Sequence, residues 1–174
     1  MTIAPFFKAV YNKSLRGFAL TINQYLYALE QLRNRRDKAF EKYIRAHERA
    51  AAPTAAHINT DGITNRSGSN GTEDKLIKAA EAWAKFERAS TLYFGYEKQL
   101  NRNLDKLQKL YGWQERAALE LIYIENQGRP YETRRGGLCR VLGVRTKAEA
   151  GEVVRAAKEH LTEILIAQGV PIEK

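Results

Sequence analysis

Leu138-Cys139-Arg140-Val141-Leu142-Gly143-Val144-Arg145-Thr146-Lys147-Ala148-Glu149 is the stretch on which the reading of this chain turns. Leu138, Cys139, Val141 and Leu142 give a short apolar helical run. Gly143 follows where a helix stop is expected, because glycine enters the left-handed conformation without a Cβ clash. Thr146 and Glu149 then form the Ser/Thr-x-x-Glu pattern, in which hydroxyl and carboxylate each satisfy a backbone N–H at the start of a new helix. A helix, a tight glycine turn and a second capped helix make a helix-turn-helix layout. The second helix is predicted from about residue 147 to 168, with Val153, Ala157, His160 or Leu161, and Ile164 inward, ended by Gly169 and Pro171.

The same segment is rich in cations. Arg129, Arg134, Arg135, Arg140, Arg145 and Lys147 stand against one acid, Glu132, and Arg155 adds a further cation on the last helix. In a helix-turn-helix the first helix crosses the phosphate backbone and the second enters the major groove. Arginines around such a turn hold phosphates by charge-assisted hydrogen bonds. These seven residues are therefore the candidate nucleic-acid-binding set, with duplex DNA as the expected partner. The second helix opens Lys147-Ala148-Glu149-Ala150-Gly151-Glu152. Small and acidic side chains read bases poorly, and two acids near phosphates repel them. Contacts are expected from the arginine-rich segment before the turn, or else the module docks on protein.

Upstream, the pattern is helical throughout. Residues 113–125 predict a helix with Trp113, Ala117, Leu121 and Ile124 on one face and Leu119, Ile122 and Tyr123 broadening it, ended by Asn126, Gly128 and Pro130. Residues 18 to about 51 hold no proline or glycine, and Ile22, Tyr25, Leu29, Leu32, Arg36, Ala39, Tyr43 and Ala46 recur at steps of three and four, as in a heptad seam. Thr72, with Glu73 and Asp74 behind it, reads as the N-cap of a second long helix reaching about residue 111. Its stripe is Leu76, Ala79, Trp83, Phe86, Ser90, Tyr93, Glu97, Leu100, Leu104 and Leu107. Between the two helices, residues 52–72 are dense in turn formers and read as an exposed loop. A direct connection favours antiparallel neighbours. Residues 1–17, with Pro5, Phe6, Phe7 and Tyr11, read as an irregular lead-in. The expected fold is all-α: a long antiparallel helical hairpin or coiled coil over residues 1–111, and a basic helix-turn-helix-like module over 112–174.

Composition narrows the function classes. A net charge of +9 in 174 residues raises the expectation of a polyanionic partner. Cys139 is the single cysteine, which rules out an intramolecular disulfide and a cysteine-rich zinc site and suits a reducing cytoplasm. No run approaches the roughly 20 apolar residues of a membrane span, so no membrane association is expected. The N-terminal residues show no cleavage signal. His47, His57 and His160 are scattered, and no Walker loop, Rossmann fingerprint or nucleophile elbow is present. No cofactor and no enzymatic activity is expected.

The run Arg116-Ala117-Ala118-Leu119-Glu120-Leu121-Ile122-Tyr123-Ile124-Glu125, then Leu138-Cys139-Arg140-Val141-Leu142-Gly143-Val144, then the helix carrying Ala156-Ala157-Lys158-Glu159-His160-Leu161, resembles the helix-turn-helix of sigma-factor region four. The whole layout is similar to small phage transcriptional regulators of the RinA and ArpU kind, the match covering about residues 113–165 and the rest agreeing in arrangement. The resemblance implies promoter DNA binding and activation of phage genes in the host cytoplasm, with RNA polymerase as a partner. Two other readings stand beside it. One is a phage assembly or packaging protein, such as a small terminase subunit, forming a homo-oligomer through the long helices. The other is a protein-binding inhibitor or cofactor.

Overall fold

The computed structural model of the chain describes residues 20–52 and 69–173. The lead-in at 1–17 and most of the loop at 52–72 lie outside them. Every regular element among the described residues is helical, apart from one strand-like bridge between Leu20 and Ile172.

Helix α1 (Ile22–Ala51) is opened by Thr21. Its hydroxyl accepts from the Gln24 N–H at 3.2 Å, and the Gln24 side-chain oxygen accepts from the Thr21 N–H at 3.0 Å. This is a capping box with glutamine in the acid's place. Helix α2 (Ser69–Tyr111) begins one turn before Thr72, which lies inside the helix rather than at its cap. The two long helices pair antiparallel within the chain. Phe40 packs on Phe86 and Tyr43 on Trp83, so later positions on α1 meet earlier ones on α2.

Residues Asn34–Thr91 form one compact unit, and the described residues within Met1–Arg33 and Leu92–Lys174 form another. This partition differs from a division at residue 111. Leu100, Leu104 and Leu107 of α2 share a buried cluster with Leu119, Ile122, Leu161 and Leu165, so the end of the hairpin belongs to the same core as the C-terminal module.

In that larger unit, α3 (Trp113–Glu120) continues into a π-helical turn, Leu121–Glu125. There follow α4 (Tyr131–Arg134), α5 (Leu138–Leu142) and α6 (Lys147–Ala167). Helix α3 packs against α6 and α5, and α5 packs on α6. Ala118, Leu119, Ile122 and Tyr123 are buried, whereas Trp113 is 54% exposed. Ala117, Leu121 and Ile124 are partly buried against the same core, so of the expected residues Trp113 alone turns outward. The π turn, closed by the Asn126 N–H on the Leu121 carbonyl at 3.2 Å, inserts a residue into the helical period.

Four polar side chains knit this core. Tyr96 Oη donates to the Tyr25 carbonyl at 2.5 Å, Asn103 Nδ2 donates to Tyr25 Oη at 2.7 Å, and Gln168 Nε2 donates to Asn103 Oδ1 at 3.1 Å. His160 of α6 stacks on Tyr111, with ring centroids 3.7 Å apart, and its Nδ1 lies 2.8 Å from Glu115 Oε2. In the smaller unit only two helices meet among the described residues. They cannot enclose a stripe from all sides, and Leu76 and Trp83, expected inward, stay 57% and 41% exposed.

Burial pushes the Tyr25 hydroxyl up to about 12, the Asn103 hydrogen bond opposing that shift weakly. Tyr123 is also raised by burial. A tyrosine in the unfolded chain ionises near 10. The folded chain holds Tyr25 neutral, so its contribution is complete below pH 10 and is lost as pH climbs from 10 towards 12. Chemical denaturation should show stability declining over that window. Tyr25→Phe should flatten the decline and cost about 1–2 kcal/mol at neutral pH, because the buried Asn103 amide loses its acceptor.

Candidate nucleic-acid interface

The predicted turn forms as its residues dictate. Gly143 closes α5 in the left-handed conformation, with φ 69°. The Val144 N–H returns to the Cys139 carbonyl at 3.1 Å, and Gln114 Nε2 of α3 donates to the Leu142 carbonyl at 3.0 Å. These bonds satisfy helix-end carbonyls and tie the turn to α3. Thr146 then caps α6: its hydroxyl accepts from the Glu149 N–H at 3.1 Å. Glu149 Oε2 reaches back to the Arg145 N–H at 2.9 Å, one residue before the usual partner in a capping box.

The seven candidate cations divide into three groups. Arg134 is not at the surface: the residue is 6% exposed. Its Nη2 lies 2.8 Å from both carboxylate oxygens of Glu30 on α1, and its Nε donates to the Arg129 carbonyl at 2.5 Å. Its guanidinium also sits over the Tyr27 ring, 5.4 Å from the centroid. Glu30 accepts a further hydrogen bond from the Gly128 N–H at 3.1 Å. Arg134 thus closes the loop after the π turn onto α1 and cannot hold a phosphate. Its inclusion in the binding set is corrected on that ground. Arg155 is exposed but forms an ion pair with Glu152 one turn earlier.

Arg129, Arg135, Arg140, Arg145 and Lys147 make up the third group. All five are exposed, and among the described residues none of them forms an ion pair. Arg135 lies over the Tyr131 ring, 6.0 Å from its centroid. It also reaches across α6 at Gly151, where an added Cβ would stand 3.3 Å from its Nη2. Glycine at 151 leaves room for that crossing. Arg135 and Lys147 line a shallow cleft of about 250 Å³ together with Glu132, Gly136, Leu138 and Cys139.

Lys158 was missed by the sequence reading. It hydrogen-bonds Asn23 at 2.9 Å and sits over the Tyr123 ring. Its ammonium is held below the usual lysine range, first by burial and then by the nearby Arg135. The signal was available as its place on the same side of α6 as Lys147 and Gly151, three turns beyond Lys147.

The acids that open α6 are engaged within the protein. Glu149 is held by the cap and Glu152 by Arg155. Ala148 is exposed and adds little bulk at the start of the helix, so backbone can approach a strand closely there. The site offers a set of fixed positive charges around a turn and few side chains able to discriminate bases. Comparison with protein-family models, with curated proteins and with solved structures finds no match for this chain.

Arg134 and Arg140 should respond oppositely to truncation. Arg134→Ala removes one member of a nearly dry ion pair and should lower unfolding stability by about 3 kcal/mol. Arg140→Ala should leave it within about 0.5 kcal/mol. Urea titrations followed by circular dichroism would check both. Equal midpoints for the two variants would show that the Glu30 contact does not hold the loop.

Proposed function

We propose that the chain binds duplex DNA through the α5–α6 turn, chiefly by its phosphate backbone. The observation that carries this reading is the set of five exposed cations, Arg129, Arg135, Arg140, Arg145 and Lys147, on and just before a helix–turn–helix whose opening acids on α6, Glu149 and Glu152, are engaged within the protein. Lysine and arginine that neutralise phosphates release condensed counterions, and affinity then falls with the logarithm of salt concentration. The small, exposed Ala148 on α6 supports a fit to the sugar-phosphate edge more than a readout of bases. Regulation of transcription, with RNA polymerase as partner, is the further step that the resemblance to phage regulators implies.

Fluorescence anisotropy with a labelled random-sequence duplex, measured between about 50 and 200 mM salt, tests the proposal. The double variant Arg140→Ala/Arg145→Ala should reduce the slope of log affinity against log salt by about 2, near 0.9 per lost contact. Arg155→Ala should change it by less than half a contact, since that guanidinium is already paired with Glu152. A double variant with the wild-type affinity and slope would remove the turn from the interface.

A further inference from the structure

Residues 35–49 of α1 place a second set of cations along one line. Arg35, Lys38, Lys42, Arg45 and Arg49 follow one another at steps of three, four, three and four. At 100° per residue they fall within a sector of about 80°, along about 21 Å of helix. All five are exposed. The acids of the same stretch are segregated. Asp37, Glu41 and Glu48 occupy a separate sector of about 40°, centred about 100° away. Within this row Arg45 pairs with Glu41 at 3.9 Å, with both side chains more than 60% exposed. Such a solvated pair is worth little and is readily exchanged for another anion.

We infer that this ridge on α1 is a second phosphate-backbone contact, separate in sequence from the C-terminal turn and lying wholly within the Asn34–Thr91 unit. A polyanion fits the ridge better than a protein does. Protein interfaces are built around an apolar centre depleted in charge, whereas this sector contains five cations and no large apolar side chain. The exposed apolar residues of α1, Phe40 and Ile44, belong to a different face, on the far side of the acidic sector. Consecutive cations three or four residues apart stand about 5–6 Å from one another, a spacing that lets neighbouring side chains reach successive phosphates of one strand. The choice of DNA as the polyanion rests on the reading of the C-terminal turn. The ridge itself rests on the geometry of α1.

The test uses the full chain and the same random-sequence DNA duplex. The variant Lys38→Gln/Lys42→Gln/Arg49→Gln changes only exposed side chains, and its thermal unfolding should match the wild type. It should bind at least ten-fold more weakly at low salt, with a salt slope reduced by between 2 and 3. Wild-type affinity and slope in this variant would overturn the ridge, whatever the turn variant does. Loss on the ridge variant with no change in Arg140→Ala/Arg145→Ala would support the ridge and reject the turn. Loss in both would support both, and failure of the wild-type chain to bind duplex DNA would reject both. Capture of an acidic protein, with no affinity for DNA, would likewise overturn the ridge as a phosphate contact.

Discussion

The buried amide of Asn103 is the constraint on which the larger unit depends. It donates to Tyr25 on α1 and accepts from Gln168 just past α6, while itself belonging to α2. A leucine or alanine seam between long helices permits sliding by a turn at small cost. A buried amide with two committed partners does not, because any shift leaves polar atoms dry and unpaired. Tyr96 adds a second fixed point by donating to the Tyr25 carbonyl. The register of α1 against α2, and the seating of α6 on both, follow from those few bonds, with the surrounding leucines supplying most of the burial.

The Arg134–Glu30 pair plays the corresponding part on the other side of the module. Six of the arginine and lysine residues between 129 and 147 look alike in sequence, yet only one is turned inward. Position decides this: Arg134 ends α4 where the chain passes over Tyr27 and Glu30, and its neighbour Arg135 points across α6 instead. With Arg134 committed to Glu30, the surrounding loop is fixed and the other cations are displayed from a rigid base. The internal pairing of Glu149 and Glu152 has a similar effect. Acids that would repel a strand are drawn into the helix that presents the cations.

Much of this was legible from residues alone. The stop at Gly143 and the Thr146 cap follow from local chemistry, which acts within one turn of the backbone, and the pairing of the two long helices from their apolar stripes and direct connection. The elements that escaped depend on partners distant in sequence. Asn103 and Gln168 read as ordinary surface amides until α1 and α6 are brought together. Arg134 reads as one more cation until Glu30, more than a hundred residues earlier, is placed beside it. Trp113, Leu76 and Trp83 looked internal and stay exposed, because a periodic stripe does not reveal how many helices cover it.

The bridge between Leu20 and Ile172 couples two distant segments to one core. Leu20 donates to the Pro171 carbonyl at 2.8 Å and accepts from the Glu173 N–H at 2.9 Å, so two short segments at opposite ends of the described chain are clasped together. Nearly the entire polypeptide lies between them. Closing so long a loop carries an entropy cost that only the assembled helices can offset. The clasp therefore depends on the packed helices, and Leu20 and Ile172, buried in the same cluster as Leu161 and Leu165, carry both segments into that core.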